Sequence, residues 1–128
     1  MSISIEVSAG ELVDKITILV IKLERMSDPA KLSNVRKEYD MLMDVYRNEI
    51  GEGRELVLLR ERLKEVNAAL WDIEDEIRDF ERRKDFGEKF VELARTVYRT
   101  NDRRASIKRE INDLLKSVLV EEKSYSAY

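Results

Sequence analysis

The sequence predicts an all-α domain: an antiparallel bundle of two long helical hairpins, about four helices in all, with a short N-terminal extended arm. Three observations predict it. Apolar residues recur three and four apart along most of the chain, the spacing that gathers them on one stripe of a helix. Only one Pro and four Gly occur in 128 residues, and helices need few turn formers. Hydrophobic residues make up 43% and charged residues 40%, as expected of long rods with one buried and one solvated face.

Residues 2–7 alternate, with Ile3, Ile5 and Val7 on one side and Ser2, Ser4 and Glu6 on the other, so they read as a short strand or an extended arm. Ser8 then opens a capping box with Glu11: the hydroxyl accepts from the Glu11 N–H, and the carboxylate reaches back to the Ser8 N–H. The first helix runs from there to about Met26. Leu12, Ile16, Leu19, Leu23 and Met26 form its seam, and Val13, Ile18, Val20 and Ile21 widen the apolar surface almost all the way round. Such a helix belongs at the centre of a bundle.

Asp28-Pro29 restarts the chain, because Asp caps and Pro is tolerated where its missing N–H has no helical partner. The second helix carries Leu32, Val35, Tyr39, Leu42 and Tyr46 and ends near Ile50, with Gly51 and Gly53 as a left-handed stop. The third has the clearest period: Leu56, Leu59, Leu63, Val66, Leu70, Ile73, Ile77 and Phe80 alternate three and four apart without a miss. The basic residues at 82–84 suit its negative C-terminal end. Asp85-Phe86-Gly87-Glu88 is the turn, and the fourth helix runs from about Gly87 to Ser117 with Phe90, Leu93, Ala94, Val97, Ile107, Ile111, Leu114 and Val118 inward. One domain, 1–128, therefore divides into the arm 1–7, a first hairpin 8–50, a second and longer hairpin 54–118, and a tail 119–128.

The first helix spans about 27 Å and the third and fourth about 45 Å each at 1.5 Å per residue. The second hairpin therefore overhangs the first, and Phe80, Phe86 and Phe90 at its tip need a cover. A twofold partner is the expected one, so the chain is expected to be a homodimer; the alternative is a bent hairpin covered by the N-terminal arm or the C-terminal tail.

Charge and composition exclude several functions. The chain has no Cys and no His, which removes disulfides, thiolate sites, the usual neutral-pH base and every Ser-His or Cys-His pair. A net charge of −3 calls for neither nucleic acid nor an anionic membrane. The opening residues lack the basic and apolar regions of a signal peptide, and the apolar run at Ile18–Ile21 is too short to span a bilayer. A cytoplasmic protein with no cofactor and no metal is expected.

Candidate site residues emerge where the fourth helix breaks its seam. Continuing from Phe90, Ala94 and Val97, the spacing puts Asn101, Arg104 and Lys108 where Leu or Ile would be expected. Ionic groups on a buried stripe need acidic partners or a hydrated pocket. The first helix offers Glu11 and Asp14, and the third offers Glu74. Beside the third helix's seam run Asn67, Trp71, Glu74 and Arg78, with Trp71 level with Thr100 and Asn101. A Trp beside an amide, a carboxylate and a guanidinium suits a sugar, a base or an anion. The candidate ligand or partner site therefore comprises Asp14, Lys15, Trp71, Glu74, Tyr98, Asn101, Arg104 and Lys108.

Two other clusters are better read as surface chemistry. Asp72, Glu74, Asp75, Glu76, Asp79 and Glu81 resemble the acidic helices of Mg²⁺-dependent pyrophosphatases of the MazG type, but the paired acidic motifs are broken: Arg99 stands three residues before Asp102 where Glu is needed. Arg95, Arg99, Arg103, Arg104, Lys108 and Arg109 make a basic stripe with only Tyr98 interleaved. Ion pairs between this stripe and the third helix's acids are expected instead.

The run from Ser8 to Leu19 (SAGELVDKITIL), followed by Lys22-Leu23-Glu24-Arg25 and Asp28-Pro29, resembles the opening of a small bacterial and phage family, a domain of unknown function. Leu70-Trp71, Asp85-Phe86-Gly87, the stretch VYRTNDRR at 97–104 and Val120-Glu121-Glu122-Lys123-Ser124-Tyr125 share that resemblance. It implies an all-helical fold and no particular activity. The family often has Glu where this chain has Val20, so a polar position of the first helix is missing here.

Together these readings point to a helical binding or assembly module, dimeric, with a polar site near the middle of the fourth helix and an anionic small molecule or a protein as its partner. The alternative is a small enzyme acting on a phosphorylated or dicarboxylate metabolite, with Arg104 and Lys108 on the anion and Asp14 or Glu74 as base or metal ligand. Helical chorismate mutases work in that electrostatic way without His or Cys, although their residue pattern is not matched.

Overall fold

The computed structural model describes residues 1–116 and Ser124. It contains α1 (Ala9–Arg25), α2 (Pro29–Glu49), α3 (Arg54–Arg82) and α4 (Glu88–Leu114), and the described part of residues 1–8 is an arm without strand pairing. Ser117, Val118 and the expected tail apart from Ser124 lie outside the described residues.

Central placement of α1 follows from its sequence. It alone lies against all three other helices, and among the helices of the described residues α2 has only α1 as a backbone neighbour. Val13, Ile16, Leu19 and Ile21, which lie on different sides of α1, are all buried. Leu12, Val13 and Ile16 share one core cluster with Leu56, Leu63 and Val66 of α3 and Ile107 and Ile111 of α4. Burying a side chain of this size stabilises the fold by about 1.5–3 kcal/mol.

The predicted helix ends are mostly met. Ser8 Oγ accepts from the Glu11 N–H at 3.1 Å, but the Glu11 carboxylate is turned toward Lys108 at 2.9 Å rather than back along the cap. Asp28 caps Ala30 at 3.0 Å. Gly51 takes φ +76° and closes α2, its N–H on the Tyr46 carbonyl at 3.0 Å. Gly53 does not share that role: at φ −123° it is extended and serves as the N-cap residue of α3.

The hairpin tip differs from expectation because it covers part of itself. Phe80 is buried, with the Arg83 guanidinium 4.4 Å from its ring centroid. Phe86 meets Phe90 edge-on, centroids 5.2 Å apart, and remains half exposed. The larger exposed apolar side chains lie elsewhere, on the arm (Ile3, Ile5) and on α2 (Met41).

Tyr46 ties α2 to α3. It is 1% exposed and accepts from Arg60 Nη1 at 2.9 Å, while the same guanidinium pairs with Glu52 at 2.9 Å. Burial pushes the Tyr46 phenol above its ordinary value, and the charge of Arg60 opposes but does not cancel that shift. A raised value means that the neutral phenol is the folded form, so its contribution is complete below the free-tyrosine range and lost as pH rises through the folded value. An ultraviolet titration should therefore show one phenol ionising after the others, together with alkaline unfolding, and Tyr46→Phe should abolish that late phase.

Candidate functional site

The broken seam of α4 is filled from α1. Glu11, Asp14 and Thr17 are three apart, so they rise along one side of that helix. Asp14 is 1% exposed. Its Oδ1 accepts from Arg104 Nε at 3.0 Å and from Asn67 Nδ2 at 2.9 Å, and its Oδ2 accepts from Arg104 Nη2. One turn along α4, Lys108 donates to Glu11 at 2.9 Å and lies 3.9 Å from Asp14 Oδ2. Thr17 gives its hydroxyl to the Asp14 carbonyl at 2.8 Å and accepts from Asn67 at 2.9 Å.

These residues join three helices. The two-point grip of Arg104 on Asp14 fixes orientation as well as distance, which a Lys could not do. Two carboxylates face two cations, so no net charge is trapped. Among the described residues no buried side-chain nitrogen or oxygen lacks a partner. That is the condition under which buried ions are tolerated.

Gly10 fixes the approach of α1 to α4. Its N–H donates to Asn112 Oδ1 at 2.7 Å, and a Cβ added there would sit 2.5 Å from the Lys108 backbone oxygen. Only a residue without a side chain permits this contact.

Beside the cluster, α1, α3 and α4 border a groove of about 490 Å³. Trp71, Glu74, Asn101 and Arg104 line it together, with Asn67 and Arg78. Two residues of the expected site are elsewhere. Lys15 is exposed, pairs with Glu11 at 3.8 Å, and borders a different groove between the arm and α2. Tyr98 is 57% exposed and is not part of the Trp71 groove. Asp14 and Lys108 form the ionic cluster behind the groove.

Three acids of the α3 stretch, Asp72, Glu74 and Asp79, have ion pairs on α1 or on α3 itself. Asp72 takes Arg25 of α1. Glu74 pairs with Arg78 at 3.5 Å, and Asp79 with Arg82 at 3.6 Å and Arg83 at 3.1 Å. Arg95 pairs with Glu92 on its own helix at 3.1 Å. Neighbours one turn away on a helix are nearer than residues across the hairpin, so local pairs form first. Thr17, Asn112 and Gly10 are cluster members that sequence reasoning missed. Asn112, spaced four from Lys108 on the same stripe, is the one with a readable signal.

An α-helical bundle cross-braced by buried ion pairs is the class that fold and site define. Residues 3–128 match a family described as a family of unknown function, DUF6165, and the chain belongs to it. A search of curated proteins gave no match, and a search of solved structures gave none either. Among the described residues no helix is long and apolar enough to cross a membrane.

Proposed function

We propose that this chain is a non-enzymatic binding module whose contact site is the groove over Trp71, Asn101 and Arg104. The observation that carries this reading is the saturation of Asp14. Three donors from Arg104 and Asn67 hold its two oxygens, so the best-buried carboxylate is an anchor rather than a base waiting for a proton. Arg104, likewise, spends Nε and Nη2 on that carboxylate instead of on a substrate anion. The cluster is a rigid floor, and the groove above it is where a ligand meets fixed side chains.

In the same reading the module acts as a homodimer. Support comes from Ile3 and Ile5, exposed at 76% and 77% on the arm, and from Met41 at 62% on α2. Sedimentation should then give twice the 15.1 kDa chain mass.

A thermal-shift screen against saccharides, nucleotides, sugar phosphates and dicarboxylates, with and without Mg²⁺, tests the binding reading. A ligand that binds only the native state raises the melting temperature. The expected result is a rise with one ligand class and recovery of that ligand unchanged after prolonged incubation. Conversion of the ligand would replace this reading with the enzymatic one.

A further inference from the structure

Resting on the binding reading above, the chemistry of the groove narrows its ligand. We infer that it takes a neutral, hydroxyl-rich ring, a saccharide unit, rather than a phosphate or carboxylate. The first argument is charge. Glu74, Asp75, Arg78 and Arg104 line the groove together, two formal charges of each sign, and Asp14 behind Arg104 adds a third carboxylate. Both cations are already engaged, Arg78 with Glu74 at 3.5 Å and Arg104 with Asp14. An anion entering here would meet two carboxylates, and the cations it would need are already balanced by Glu74 and Asp14, so its lost hydration is poorly replaced. A cation would meet two guanidinium groups. Neither ion is favoured.

The second argument is hydrogen-bond polarity. Asn67 is 6% exposed and lines the groove. Its amide nitrogen gives one hydrogen bond to Asp14 and one to Thr17, each at 2.9 Å, so the amide offers the groove its carbonyl oxygen, an acceptor. The carboxylates of Glu74 and Asp75 are acceptors too. A groove rich in acceptors, one of them held by the buried Asn67, matches a ligand that brings donors, as hydroxyl groups do. Asn101 supplies both kinds, which suits a hydroxyl that donates and accepts at once.

The third argument is shape. Trp71 is half-buried and lines the groove together with Ile18, Ile21 and Leu70. An indole face flanked by aliphatic groups suits the C–H face of a sugar ring, apolar on its face and polar at its rim. A volume of about 490 Å³ falls within the range of ligand sites, about 300–1,000 Å³.

Trp71 is the single Trp of the chain, so its fluorescence reports on this groove alone. The full-length protein is titrated with glucose, galactose and N-acetylglucosamine, and in parallel with glucose 6-phosphate and succinate. The expected result is a saturable change in emission with at least one neutral sugar. Its affinity should be unchanged between low and high salt, since a neutral ligand is not screened, and should fall about tenfold in Asn101→Ala, with the ligand-free emission and the melting curve as in the parent. Tighter binding of the phosphate ester or of succinate would overturn this inference and leave the binding groove standing. Silence across both sets, confirmed by calorimetry, would overturn the saccharide inference, and silence of the whole thermal-shift panel as well would overturn the binding reading.

Discussion

Asp14→Ala should destabilise the fold by about 3–5 kcal/mol, the range for removing one member of a buried ion pair. The loss has three parts. Arg104, 30% exposed at its side chain, keeps its charge and loses both acceptors. Lys108, 7% exposed at its side chain, retains Glu11 but loses a second carboxylate at 3.9 Å. Asn67 loses one of the two acceptors of its amide nitrogen. Asp14→Asn keeps the volume and should recover only part of this, because an amide cannot accept on both sides of a guanidinium fork. Urea denaturation followed by circular dichroism measures it.

Gly10→Ala should cost about 3 kcal/mol, a large penalty for the smallest change a glycine can undergo. Elsewhere in a helix Gly→Ala is favourable by up to about 1 kcal/mol, so the sign itself is the prediction. A methyl 2.5 Å from the Lys108 carbonyl oxygen, a backbone atom, must push α1 away from α4. Separation strains the Gly10–Asn112 bond of 2.7 Å and loosens the ionic cluster one turn along. Asn112→Ala removes that bond without the push and should cost less, about 1–2 kcal/mol. If the two variants were equal, the hydrogen bond and not the close approach would be the constraint.

Much of this arrangement can be read from residue order. The breadth of apolar surface on α1 is visible in Leu12–Ile21, and with three partners to touch no other position would bury it. The interruption at Asn101, Arg104 and Lys108 is visible because the flanking seam of α4 is regular. Glu11 and Asp14 can be named as partners because they share a side of the most buried helix. What sequence leaves open is the azimuth of each helix about its axis. Lys15 is one residue from Asp14, yet about 100° of rotation puts it on another surface. Tyr98, one residue past the seam at Val97, turns outward in the same way. Gly10 is silent for a related reason: a glycine near a helix start reads as a weak cap, and only the partner's backbone shows that it is a contact point. Phe80 is covered within the chain by Arg83, and an Arg lying over an aromatic ring is not visible in an apolar pattern.

The central claim is that α1 and α4 are held in register by one buried, mutually dependent ionic pair. A double-mutant cycle on Asp14 and Arg104 tests it directly, with Asp14→Ala, Arg104→Met and the two combined, each followed by chemical denaturation. The account predicts that the double variant is more stable than Asp14→Ala alone, with a coupling of about 2–3 kcal/mol, because removing both ions leaves no charge stranded. Additive losses, with no coupling between the positions, would contradict it.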